Sequence, residues 1–320
     1  MTRYEEVRFR AGDGSLAGTL TLPDGVGRLP WALLVGSWLP RDRDGGWDRV
    51  RHPAWFAGPG GGADGPLRRL ADALAERGVA SLRYDPRGCG ESDGEWAGAD
   101  LFTRIDDARD AIGAMRSRAE LDLRRTAIVG HGEGASIALS VAIGDPAIGA
   151  VGLIGPGARS YRDLLRRGVA ERDRTGTDRQ HPVVAALDRA AEELLERVER
   201  RERLMTLRVG AQRAELRLAG WEQATHTPPI ALATMLHRAV VLAHGTADAW
   251  ADADESRLLV EVLREAGNAP VLHLADEADH DLTGADRVLA SFAADLAARM
   301  EPRDLPPVLV AIEEMAERSD

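Results

Sequence analysis

Three short stretches of this 320-residue chain carry side chains that can do chemistry together. Residues 130–134 read Gly-His-Gly-Glu-Gly, Asp248 ends the run His244-Gly245-Thr246-Ala247-Asp248, and His280 lies within Ala278-Asp279-His280-Asp281. An imidazole backed by a carboxylate is a competent general base near neutral pH. The glycine-rich stretch sits between a short apolar run, RTAIV at 125–129, and a helical one, ASIALSVAI at 135–143. That is the strand, sharp turn and helix of a GxSxG elbow, which holds a nucleophile in strained, positive-φ backbone. Gly132 stands where the nucleophilic serine would be. Glycine adopts positive φ without a Cβ penalty, so the turn can survive while the hydroxyl is lost. Acyl-enzyme chemistry through residue 132 is thereby excluded, whereas base chemistry through His280 is not.

Groups so far apart in sequence need a scaffold that gathers them. Residues 4–9 and 15–22 alternate and read as an antiparallel strand pair joined through Gly12-Asp13-Gly14. Residues 31–35, 79–84, 126–129 and 147–154 are apolar runs of the kind buried on both faces, with helical periodicity at 67–77 and 101–118 between them. The alternation resumes with a strand at 239–243, a helix at 254–266, a strand at 271–274 and a helix at 283–300. The expected fold is α/β, a mostly parallel sheet with helices on both faces. From about 160 to 237 no strand candidate of similar quality appears, and 182–218 is dense in Ala, Leu, Glu and Arg. This predicts an inserted helical lid at 157–238 dividing a core of 1–156 and 239–320, with a further short helix near the end of the sequence. The stretch AGPGGGADG at 57–65 reads as a mobile loop. Loops after parallel strands collect at their carboxyl ends, so the elbow, Asp248 and His280 are expected to converge.

Composition removes several other chemistries. All 41 basic residues are arginine, which excludes Schiff-base and lysine-base mechanisms. A net charge of -11 argues against non-specific nucleic-acid binding. No apolar stretch is long enough for a membrane span, the first ten residues are too charged for a signal peptide, and a cytoplasmic location is expected. A single cysteine, Cys89, excludes an internal disulfide and multi-cysteine metal sites; a packing role is expected for it. His131 is expected to pack beneath the elbow. The remaining histidines outside the elbow and the His280 loop lack metal-ligand spacing, so no metal and no cofactor are expected. Trp38, Trp47 and Trp55 follow the third strand and Trp250 follows Asp248, which favours an apolar, roughly planar small-molecule substrate. The lid arginines Arg162, Arg166, Arg167, Arg172 and Arg174 read as a solvated face from which one or two could meet an anionic substrate.

The motifs together resemble the α/β-hydrolase superfamily over roughly residues 11–300. Gly36-Ser37-Trp38-Leu39-Pro40-Arg41-Asp42-Arg43-Asp44-Gly45 is similar to the GSGPxDRDG-like loop of a lidded subgroup whose elbow reads GHSEGG, and Arg87-Gly88-Cys89-Gly90-Glu91-Ser92 is similar to the superfamily's RGxGxS turn. The order elbow, Asp248, His280 is also that of the superfamily. The resemblance implies that Asp248 orients His280, that His280 is the base, and that backbone N–H groups of Glu133 and of the Ser37/Trp38 loop form an oxyanion hole. With glycine at 132 the arrangement resembles the hydrolase-fold lyases of spirotetronate antibiotic pathways, which eliminate acetate from an acetylated tetronate. That resemblance implies a carbon–oxygen lyase. Two other readings stay open: a serine hydrolase inactivated by Ser-to-Gly replacement at 132, and a non-catalytic pseudohydrolase that binds a small ligand.

Overall fold

The computed structural model describes residues 2–25, 27–56, 65–178 and 181–317. Residues 57–64 of the glycine-rich stretch, for which a mobile loop is expected, lie outside the described residues.

An eight-stranded sheet forms the centre, in the order β1-β2-β4-β3-β5-β6-β9-β10. Its first two strands, β1 (Arg3–Ala11) and β2 (Gly14–Leu22), pair antiparallel across the glycine turn, and β2 pairs antiparallel with β4 (Ala80–Tyr84). The rest is parallel: β3 (Leu29–Val35), β5 (Leu121–His131), β6 (Ile148–Ile154), β9 (Ala239–Gly245) and β10 (Val271–Ala275). The unbroken apolar runs have this cause: β4 and β6 are buried along their whole length, and β3 from Trp31 onward. A strand covered on both faces has no solvent side on which to place polar residues.

One face is covered by α2 (Leu101–Met115), α3 (Gly134–Gly144) and α8 (Ala253–Glu265), which share a core with Leu33, Ile128 and Leu153. The other is covered by α1 (Pro66–Ala75) and α9 (Asp286–Ala298), packed over Leu34, Val129 and Ile154. A last helix, α10 (Pro307–Glu317), packs through Leu309 beside Leu123. No helix among the described residues is long and apolar enough to cross a membrane.

The segment between β6 and β9 departs from the all-helical expectation. It contains α4 (Tyr161–Thr175), α5 (Pro182–Glu199), α6 (Ala219–His226) and α7 (Pro229–Ala233), but also a hairpin of β7 (Leu204–Val209) and β8 (Gln212–Arg217). Met205, Leu207 and Val209 alternate with exposed residues and point into a core shared with α5, while Gly210 takes φ +59° at the turn. Leu, Ala, Arg and Glu favour a helix, but period-two burial against α5 outweighs that weak preference. The Arg172 expectation also needs correction: its guanidinium is buried in an ion pair with Asp188 at 2.6 Å rather than solvated. Arg162, Arg166 and Arg174 pair with Glu199, Glu192 and Glu171 on the outer face, and Arg167 is exposed.

Candidate active site

Strand order reverses at β3, whose neighbours are β4 on one side and β5 on the other. At such a switch point the loops leaving adjacent carboxyl ends diverge and open a crevice. Ser37 and Trp38 leave β3 there, and Gly132 leaves β5.

The elbow is built on close backbone approach. A Cβ on Gly130 would stand 2.0 Å from the Gly134 carbonyl oxygen, and one on Gly134 would stand 2.4 Å from that of Val35, so neither position admits a side chain. Gly132 is at φ +58°, with its N–H donating to the Ile154 carbonyl at 2.9 Å. Beyond it α3 begins, and its N-terminal partial positive charge faces the crevice.

Asp248 and His280 meet although 32 residues separate them. The His280 Nδ1–H donates to Asp248 Oδ2 at 2.7 Å, which leaves the Nε2 lone pair on the cavity side. Asp248 Oδ1 accepts the N–H groups of Trp250 at 2.7 Å and Ala251 at 3.1 Å. Burial alone would raise the Asp248 carboxyl, but the His280 charge and hydrogen bonds from His244 and His280 outweigh it and hold the group well below the ordinary carboxylate range. Burial likewise would lower the His280 imidazole, yet the adjacent Asp248 carboxylate prevails and holds it above 6.5. Beneath this pair His131 donates its Nε2–H to the His280 carbonyl at 3.1 Å, and burial pushes its own value down to about 3, so it stays neutral.

The donor loop is pinned from several sides. Arg41 reaches Asp281, next to His280, at 2.9 Å; Arg43 reaches Asp85, beyond β4, at 2.7 Å; Asp44 accepts Arg83 Nε at 2.6 Å. The Arg-Asp-Arg-Asp run therefore ties the β3 loop to its neighbours. Arg104 of α2 donates to the carbonyls of Ser37 at 3.4 Å and Trp38 at 2.8 Å. Among the described residues, the N–H groups of Ser37, Trp38 and Glu133 have no hydrogen-bond partner, as donors reserved for an oxyanion would require.

These groups line a cavity of about 130 Å³, walled by Trp38, Trp221, Trp250, Tyr161, Leu164 and Leu187. Space of this order accommodates a single ring or short acyl group. Glu133 also lines it; burial raises its carboxyl above the ordinary value, against the opposing charge of Arg104 and a hydrogen bond with Tyr161.

All seven residues singled out from the sequence, Ser37, Trp38, Gly132, Glu133, Asp248, Trp250 and His280, come together here, six on the cavity wall and Asp248 behind His280. Trp47 and Trp55 do not join them: Trp47 stacks on Phe56 under Arg41, and Trp55 packs against Trp96. Sequence reading missed Arg104, Trp221, Tyr161 and Gly155. The last takes φ +53° at the end of β6, where a Cβ would stand 3.0 Å from His280 Nδ1. Only the Gly155-Pro156-Gly157 punctuation after a buried strand hinted at it. Cys89 is buried, and burial raises its thiol, in keeping with packing. Asp48, His52 and Cys89 bring ligand-type atoms within 4.8 Å of one another, a proximity the sequence did not suggest. Asp48 is engaged by the N–H groups of Arg51 and Gly90, and His52 by the Gly88 carbonyl, so the cluster braces the turn after β4.

The sheet, the elbow and the order of its loops define an α/β-hydrolase fold. The chain belongs to the serine aminopeptidase S33 family, whose model matches residues 64–286. Solved structures with this fold include the esterase domain of a Rhodothermus marinus protein, at 17% identity and TM-score 0.58 over 92% of this chain and 97% of that one. Est1E from Butyrivibrio proteoclasticus, solved with ferulic acid bound, is similar at 13% identity and TM-score 0.62, covering 91% of this chain and 99% of that one. The α/β hydrolase GrgF from Penicillium sp. sh18 is similar at 16% identity and TM-score 0.60, covering 93% and 99%. No curated protein matches the sequence.

Proposed function

We propose that this protein is a lyase in which His280, held by Asp248, removes a proton from a small acylated substrate and a carboxylate departs into the oxyanion donors. The observation that carries this reading is the free Nε2 side of His280: it faces the cavity at Gly132, and the elbow residue itself has no side chain to take up an acyl group. The N–H groups of Ser37, Trp38 and Glu133, with the α3 N-terminus behind them, suit an enolate or a departing carboxylate as well as a tetrahedral intermediate. The aromatic walls suit a planar apolar body, and an acetylated tetronate has the required acidic proton and acetate leaving group.

The test is incubation with an acetylated tetronate in heavy-oxygen water, with both products followed by mass spectrometry. Elimination yields the exocyclic alkene and acetate without solvent oxygen. Alcohol and solvent-labelled acetate, with no alkene, would overturn it. His280→Ala should abolish alkene formation while leaving ligand affinity nearly unchanged; a pure binder would show no turnover in either form.

A further inference from the structure

Gly132 does not leave its surroundings empty. The point where a Cβ on residue 132 would stand is 2.7 Å from Ser37 Oγ and 2.8 Å from His280 Nε2. A hydroxyl and an imidazole thus both border the nucleophile position of the elbow, too closely for a methyl group to fit between them and the backbone, and both residues line the cavity. Neither atom has a hydrogen-bond partner among the described residues. We propose that Ser37 is a relocated nucleophile, giving the site a second activity, the hydrolysis of activated esters of short acids through an acyl-Ser37 intermediate.

The requirements for a serine nucleophile are a base within reach, an orienting acid behind that base and donors for the oxyanion. His280 and Asp248 supply the first two. Ser37 has a free N–H of its own, and a nucleophile's own N–H is a recognised oxyanion donor. The neighbouring N–H groups of Trp38 and Glu133 supply the rest. Arg104 holds the loop through the carbonyls of Ser37 at 3.4 Å and Trp38 at 2.8 Å, which keeps the Ser37 side chain beside His280. Hydrogen bonds of this kind are often long before substrate binds.

In the first step the Ser37 hydroxyl proton passes to His280 Nε2 as Oγ bonds to the acyl carbon. The ester C–O bond then breaks and the leaving alkoxide takes the proton from His280. Water next gives a proton to His280 and its oxygen to the acyl carbon, the Oγ–C bond breaks, and the proton returns to Ser37. The balance needs only ester and water.

The proposal is independent of elimination and can be tested without the natural substrate. The full-length protein is mixed with p-nitrophenyl acetate, quenched in acid and digested with trypsin. The peptide between Arg28 and Arg41 contains Ser37 as its single hydroxyl side chain. It should carry acetyl, and a fluorophosphonate should label the same peptide. Ser37→Ala should remove both labels and lower p-nitrophenol release by on the order of a thousandfold, and His280→Ala should do likewise. Release that persists unchanged in Ser37→Ala, or turnover without any label on this peptide, overturns the proposal. Alkene formation from the tetronate that survives in Ser37→Ala would leave the lyase reading standing, whereas acetyl on Ser37 without alkene formation would leave only the esterase.

Discussion

At the scale of single residues, the proposed role of His280 as base makes its charge state decide when the site can work. A base must be neutral to take a proton, and Asp248 holds His280 protonated to higher pH than an isolated imidazole. Activity should therefore rise with pH through a limb above 6.5, the ordinary value. Asp248→Asn removes the opposing carboxylate and leaves burial, which lowers the imidazole, so the limb should move to lower pH. Its plateau should fall by on the order of 10⁴-fold, because an amide that donates to Nδ1 leaves the proton on Nε2 and takes away the base's lone pair. A pH–rate profile checks both, and an unmoved limb would mean that the carboxylate does not set the titration. Gly132 yields a second prediction. Serine at φ +58° costs about 1–2 kcal/mol of backbone strain, and its Cβ would press on Ser37 Oγ and His280 Nε2. Gly132→Ser alone should lower Tm by several degrees and give weak esterase activity. Combined with Ser37→Gly, it should exceed the single variant about tenfold or more in esterase rate. Fluorophosphonate label should then move from the peptide of Ser37 to that of residue 132, which mass spectrometry of the digest reads directly.

At the scale of elements, the same logic separates glycines that position the site from glycines that merely turn the chain. Gly155 and Gly78 both have positive φ, at +53° and +73°, but a Cβ on Gly78 meets nothing within 4 Å, whereas one on Gly155 crowds His280 and Asp248. Gly155→Ala and Gly78→Ala should each lower Tm, since both force alanine into the left-handed region. Only Gly155→Ala should also lower kcat; equal activity in the two variants would show that the His280 ring tolerates the intrusion. This contrast marks what the sequence could reveal. The parallel strands were legible because burial on both faces leaves an unbroken apolar run, and the elbow because three glycines and a following apolar helix have few other uses. Asp248 and His280 were legible from their order and from the strands before them. The hairpin of β7 and β8 was not: its Arg, Glu, Leu and Ala content continues that of α5, and only the alternation of Met205, Leu207 and Val209 before Gly210 sets it apart. Arg104 and Gly155 were not legible either, since their roles arise where elements distant in sequence meet.

At the scale of the whole molecule, the segment between β6 and β9 closes over the crevice through a small number of buried polar ties. Glu255 of α8, fully buried, accepts the N–H groups of Ala158 at 2.9 Å and Arg159 at 3.0 Å and pairs with the Arg159 guanidinium, which anchors the segment where it leaves the sheet. Arg172 makes the second tie. From α4 it pairs with Asp188 of α5, donates to the Ala249 carbonyl at 3.2 Å beside the acid loop, and lies 4.0 Å over the Trp250 ring. One guanidinium thus joins α4 and α5 to the loop that carries Asp248. Buried ion pairs are costly to desolvate, and removing one partner leaves the other charge buried without it. Arg172→Met should therefore destabilise the protein by about 3–5 kcal/mol in denaturant titration, whereas Arg172→Met with Asp188→Leu should recover most of that loss. Activity should not recover with stability in the double variant, because Trp250 loses the guanidinium over its ring and α4 and α5 lose their tie to the Asp248 loop. Recovery of kcat together with stability would show that the pair serves packing alone and that the cavity wall keeps its shape without it.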